Sequence, residues 1–166
     1  MLNCYDKIVN KGGMLVKVQT VISQNEDEEI IINCKERNDK IIFLEDLINN
    51  ALGKSDTILL TSADTQFYIP IKNILFCESF DGKTLCHTES QILFSSYKLY
   101  ELEMILPTVF CRASKSCIIN CKRIYSIKKN ISGASEVRFD ASNKKAYLSR
   151  SYYKPFMERL NEMRLR

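Results

Sequence analysis

One histidine, seven cysteines and five glycines are what this 166-residue chain offers for catalysis. His87 sits in Leu85-Cys86-His87-Thr88, which reads as a strand, so Cys86 and His87 point to opposite faces and make no nucleophile–base dyad. No second imidazole exists to build a triad. Neither a G-x-x-x-x-G-K-[ST] loop nor a G-x-G-x-x-G turn is present to cradle phosphates. Glu101 and Glu103 lie two apart on an expected helix and face different directions, which rules them out as an acid–base or metal pair. The cysteines, at 4, 34, 77, 86, 111, 117 and 121, contain no C-x-x-C pair. Small buried thiols in a reducing compartment are expected rather than a disulfide framework or a zinc site. No enzyme, metal or cofactor is expected.

The residues that can do chemistry are cations. Residues 110–166 carry fourteen Lys and Arg against four Asp and Glu, a net charge of +10, whereas residues 1–56 carry seven against ten, a net of −3. A basic third opposite an acidic third is the footprint of a polyanion partner, nucleic acid first and an anionic membrane second. The alternative is a non-DNA interaction adaptor that uses the same basic face to dock an acidic protein. The whole chain is 45% hydrophobic and 27% charged, ordinary for a globular protein. Its apolar runs are far shorter than a membrane span, and the N-terminus lacks a signal-peptide pattern, so a cytoplasmic protein is expected.

The elements that must position these cations divide at the polar stretch Gly53-Lys54-Ser55-Asp56. Ahead of it, an acidic α+β unit over 1–56 is expected: a strand at Leu15–Ile22, a second at Ile30–Cys34, and a helix capped by Asn38 or Asp39 and stopped by Gly53. Ile41, Leu44, Ile48 and Leu52 form its apolar face. After the division, short β-branched and aromatic runs predict strands at Ile58–Thr61, Phe67–Ile69, Ile74–Phe80, Thr84–Thr88 and Ile92–Phe94, with Asp81-Gly82 as a hairpin turn. Ser96–Leu106 reads as a short amphipathic helix ended by Pro107. Further strands are expected at Thr108–Arg112, Cys117–Asn120, Arg123–Ile127, Glu136–Asp140 and Lys145–Ser149, with Lys128–Ser135 as a turn. A closing helix has Pro155 in its first turn and Phe156, Leu160 and Met163 as its apolar stripe.

Two segments carry more information than their composition. Phe110-Cys111-Arg112-Ala113-Ser114-Lys115-Ser116-Cys117-Ile118-Ile119-Asn120, followed later by Tyr147-Leu148-Ser149-Arg150-Ser151-Tyr152-Tyr153, resembles the LytTR family of bacterial DNA-binding domains. Glu78-Ser79 with the turn Asp81–Thr84, and Leu99-Tyr100-Glu101-Leu102-Glu103, resemble it in order and spacing, so the likeness covers roughly 57–166. What the resemblance implies is an α+β fold, a small N-terminal unit followed by a mostly antiparallel β DNA-binding domain with short helices. Its loops, rather than a recognition helix, would enter successive major grooves of duplex DNA. Three loops carry recognition on that basis, at Lys83 and Thr84, at Ser114 and Lys115 after Arg112, and at Ser149, Arg150 and Ser151, with Lys122, Lys128 and Lys154 as phosphate contacts. Arg150 can pair bidentately with guanine. The 56 residues ahead cannot hold a receiver domain. The resemblance to short receiver-less regulators implies a homodimer, or control by a membrane protein or another partner through the N-terminal unit.

Overall fold

The computed structural model describes residues 4–11, 14–21, 30–52 and 56–164. They fall into two compact units, Met1–Glu36 and Arg37–Arg166. In the first, β1 (Cys4–Lys11) and β2 (Met14–Val21) pair antiparallel, with Cys4 opposite Val21 and Lys11 opposite Met14. The strand expected at 15–22 is β2 displaced by one residue, and Ile22 itself lies outside the described residues. Its partner precedes it in the chain. Ile30–Cys34 is not a strand, and Ile30 and Ile31 are 61% and 65% exposed. A β-branched run forms a strand only where it pairs with a neighbouring edge, and the sheet of β1 and β2 takes no third strand from the described residues.

Helix α1 (Asp39–Ala51) starts where the sequence predicts, with Asn38 Oδ1 accepting the N–H groups of Lys40 and Ile41 at 3.1 and 3.2 Å. Gly53, the expected stop, lies outside the described residues. The buried face differs from the expected one. Ile41 is buried, but Leu44 and Leu52 are 37% and 53% exposed, while Phe43 and Leu47 pack on the core. Phe43 meets the Tyr97 ring at 5.9 Å, and the Tyr97 hydroxyl donates to Asp46, which turns the 43–47 side of the helix inward. Those contacts place α1 in the larger unit, so the structural division falls between Glu36 and Arg37 and not near residue 56.

The larger unit is built on a seven-stranded antiparallel sheet. Its members are β3 (Thr57–Ser62), β4 (Thr65–Pro70), β5 (Phe76–Phe80), β6 (Lys83–His87), β7 (Ile92–Ser95), β8 (Phe110–Ser114) and β9 (Cys117–Asn120). Their spatial order is β4-β3-β7-β6-β5-β9-β8. Between β7 and β8 runs α2 (Leu99–Ile105), which buries the apolar stripe of Leu99, Leu102 and Ile105. A second sheet, β10 (Ile124–Lys128), β11 (Ser135–Phe139) and β12 (Lys145–Leu148), precedes α3 (Arg150–Arg164). Pro155 is the sixth residue of α3 rather than part of its first turn. The helix begins directly at the end of β12, and Pro155 offers no N–H to the Ser151 carbonyl.

Alternation along the central strands splits the interior in two. Ile58, Leu60, Cys77, Cys86, Leu93 and Ile118 face a core closed by α2. Leu75, Phe76, Cys117 and Ile119 face another closed by the three-stranded sheet and by Phe156 and Leu160 of α3. The Cys77 and Cys86 thiols touch at 3.0 Å across paired strands, and the contact and burial push the Cys77 pKa well up. Five of the six described thiols are buried, as the sequence suggests, and Cys34 is exposed. Asn120, 2% exposed, donates its Nδ2–H to the Ile74 carbonyl at 2.9 Å and accepts the Lys122 N–H at 3.1 Å. The Asp81-Gly82 turn has φ of 48° and 71°, the left-handed pair that a tight type I′ hairpin requires.

At the sheet end away from that turn, Arg123 fastens the two sheets together. It donates to Asp140 at 2.8 Å, to the Lys72 carbonyl at 3.1 Å and to Glu89. His87, 7% exposed, stacks on Phe76 at 4.0 Å and, as the Nε2–H tautomer, donates to Glu78 at 3.0 Å. Burial, then Lys144, lowers its pKa from 6.5 to about 4. The unfolded chain therefore binds the extra proton first as pH falls, so His87 favours folding above pH 6.5 and that contribution is lost between 6.5 and about 4. Burial raises the Glu78 carboxyl, an effect of opposite sign that acts near and above 4.5.

Two stability measurements follow. Urea unfolding of Asn120→Ala is expected to show a loss of about 1–3 kcal/mol, because the Ile74 carbonyl loses its buried partner and the part-buried Lys122 N–H loses its acceptor. Stability of the parent is expected to drop by up to about 3 kcal/mol between pH 6.5 and 4, a slope that His87→Leu flattens.

Candidate nucleic-acid interface

Strand register brings the three candidate loops to one end of the larger unit. Phe80 pairs with Lys83, Glu78 with Cys117, and Ser114 with Cys117, so the 81–82 turn and the 115–116 turn emerge at the same sheet end, two strands or roughly 10 Å apart. Ser79 N–H donates to the Ser116 carbonyl at 2.9 Å, joining the two. Ser149 N–H donates to the Ala113 carbonyl at 2.9 Å, which brings the end of β12 and the start of α3 to the same place. Main-chain hydrogen bonds thus link all three loops in a row.

Side chains on this row fall into two kinds. Lys83, Lys115, Arg150 and Ser151 are exposed. Each stands at a turn or a helix start with its side chain open to solvent. Lys83 also lies over the Phe94 ring at 5.4 Å. Thr84, by contrast, is 4% exposed and forms part of the scaffold beneath the turn. Ser114 is half-buried, and its Oγ accepts the Ser116 N–H at 3.2 Å, closing the turn on itself. Ser149 is half-buried as well, with its Oγ 3.3 Å from that of Ser151.

Arg112 braces the loop from beneath. Its guanidinium donates Nε–H to the Ser114 carbonyl at 2.9 Å, one terminal amino group to the Lys115 carbonyl at 2.6 Å, and the other to Glu103 at 2.9 Å. A planar fork with several fixed donors suits that task, and Lys could not do it. Three of its five N–H donors are engaged by the loop and by α2, so Arg112 holds Lys115 in position from beneath. The two helix carboxylates do diverge: Glu103 holds Arg112, and Glu101 accepts the Lys98 N–H at 2.7 Å.

Lys122 is not brought to this row. It follows Asn120 at the opposite end of β9, beside Arg123. One cation that sequence reasoning missed is Lys129, which lies over the Tyr153 ring of α3 at 5.3 Å. No local spacing signals that pair, because it arises where the end of β10 and the first turn of α3 meet in space. Among the described residues no cluster of His, Cys, Asp and Glu could hold a metal ion, and no helix is long and apolar enough to cross a membrane.

The fold and this surface together define a β-built domain that offers a row of basic loops to a polyanion. Comparison with known proteins is specific about which. The sequence profile described as the LytTr DNA-binding domain matches residues 64–161, and the chain belongs to that family. A solved LytTr DNA-binding domain from Bacillus cereus superposes with a TM-score of 0.59 at 25% identity, covering 64% of this chain and 97% of that one. An uncharacterised HTH-type transcriptional regulator of Staphylococcus aureus strain NCTC 8325 is 28% identical over 148 residues, 89% of this chain and 99% of the relative. Its counterpart in strain COL matches to the same extent. The family is a DNA-binding one and not a class of enzyme.

The brace can be tested directly. Arg112→Lys is expected to speed amide exchange at residues 113–117 and to lower stability by about 1–2 kcal/mol, because one ammonium cannot satisfy the Ser114 and Lys115 carbonyls and Glu103 together.

Proposed function

We propose that the protein is a transcription regulator that reads duplex DNA by sequence, with the 81–84, 114–116 and 149–151 loops entering successive major grooves. The observation that carries this is the main-chain linkage of three cation-bearing loops at one sheet end, in a chain of the LytTr DNA-binding family. Arg150 is the base-reading residue, because its exposed guanidinium stands at the start of α3 and can pair with guanine O6 and N7. Lys83 and Lys115 meet phosphates or single base edges, and the serine hydroxyls of 114, 149 and 151 fix the turns that carry them. Arg112 and Thr84 act through the loops they support. Such a regulator works in the cytoplasm, without a cofactor.

Assembly belongs to the same proposal. A two-stranded hairpin is marginal by itself, so the unit of β1 and β2 is expected to find a partner. A second copy is the partner we favour, giving a homodimer on paired half-sites, and a membrane protein or other regulatory partner is the alternative occupant. Sedimentation equilibrium of the full chain at tens of micromolar is expected to show a dimer, and a strict monomer there would remove this part of the proposal.

Selection from random duplexes, followed by anisotropy titration against excess competitor at two salt concentrations, tests the DNA reading. Arg150→Ala is expected to cost about 1–3 kcal/mol and to relax base preference at one position. Lys115→Ala is expected to weaken all duplexes alike and reduce the salt slope by about 1, whereas Lys122→Ala changes neither. If no duplex is retained even at low salt, the basic face docks an acidic protein instead.

A further inference from the structure

Residues 129–134, which join β10 to β11, read as a plain turn in the sequence. In the structure they stand at the loop-bearing end. Lys128 pairs with Glu136, and Glu136 with Tyr147, so the loop rises one to two strands, roughly 5–10 Å, from the end of β12 where Ser149 and Arg150 follow.

This loop is built rather than merely long enough to connect. The Asn130 N–H donates to Ser135 Oγ at 3.1 Å, and Ser135 is 1% exposed. Asn130 Oδ1 accepts both the N–H and the Oγ–H of Ser132, at 3.1 and 3.0 Å. Lys129 over Tyr153 fastens the base of the loop to α3. Held this way, the loop presents Ile131 at 88% exposure, the highest value among the large hydrophobic residues described. Folding buries almost none of this side chain, so hydrophobic burial within the chain does not account for it.

Its surroundings restrict what could cover it. Lys128, Lys129 and Asn130 are all exposed beside it, a setting that suits a polyanion rather than an apolar protein groove. Duplex DNA offers both required surfaces within a few ångströms: phosphates for the ammonium groups, and the deoxyribose walls and base-step edges of the minor groove for an apolar tip.

We propose that the 129–134 loop is a further DNA contact, with Lys128 and Lys129 on phosphates and Ile131 in the minor groove beside the major groove that Arg150 reads. This rests on the duplex reading proposed above. It makes the operator longer than the three recognition loops require and adds a groove-width preference on one flank.

The experiment is hydroxyl-radical footprinting and anisotropy on the duplex selected by the parent protein, comparing parent, Ile131→Ser and Lys129→Ala. Ile131→Ser is expected to bind roughly tenfold more weakly with an unchanged salt slope, and to lose protection of the sugars flanking the Arg150 site. Lys129→Ala is expected to lower the slope by about 1. A parent that binds specifically while Ile131→Ser equals it in affinity and footprint overturns the inference alone. A parent that binds no duplex overturns the duplex reading, and this inference with it.

Discussion

Everything in the larger unit depends on β9 being buried on both faces. All four residues from Cys117 to Asn120 are buried, with Ile118 in one core and Ile119 in the other. A strand in that position cannot shift by one residue without driving each core's side chain into the opposite core, so its register is fixed more tightly than that of any edge strand. Asn120 adds a polar lock at its end, since its amide has partners only in this register. From β9 outward the register of β5 and β8 follows, and with it the placement of the turns at their ends.

That constraint explains how a site made of loops can be definite. The loop-bearing end is tied by the Ser79–Ser116 and Ser149–Ala113 main-chain bonds and by the Arg112 fork. The opposite end is tied by Arg123, whose partners come from the 3-10 turn after β4, the β6–β7 connection and the β11–β12 turn. Two sheets fastened at both ends leave the turns little freedom to swing. A Pro in the sixth position of α3 is tolerated beside this, because the helix is held to the second core by Phe156 and Leu160.

How much could be read in advance differed by kind of evidence. The strands from β3 to β12, the turn at Asp81-Gly82, α2 and the cap at Asn38 all follow from local alternation, propensity and turn chemistry, and each lies within about three residues of its expected bounds. Ile30–Cys34 misled because strand formation needs a neighbouring edge that a local pattern does not contain. On α1, Leu44 and Leu52 fit a 3.6 period as well as Phe43 and Leu47 do, and only Tyr97, some fifty residues away, decides between them. Among the candidate contacts, exposure of Lys83, Lys115 and Arg150 agrees with turn positions seen in the sequence. The bracing role of Arg112 and the remote position of Lys122 depend on which ends of β8 and β9 meet, which spacing does not reveal.

The main-chain bonds between the loops carry one more consequence. Because Ser79, Ser116, Ser149 and Ala113 are joined through N–H and C=O groups, the geometry of the row does not depend on which side chains stand at 83, 115 and 150. Residues at those tips are exposed and can be exchanged at little cost to the fold. Lineages sharing this scaffold are therefore free to exchange the side chains presented at the tips while inheriting an unchanged spacing between them.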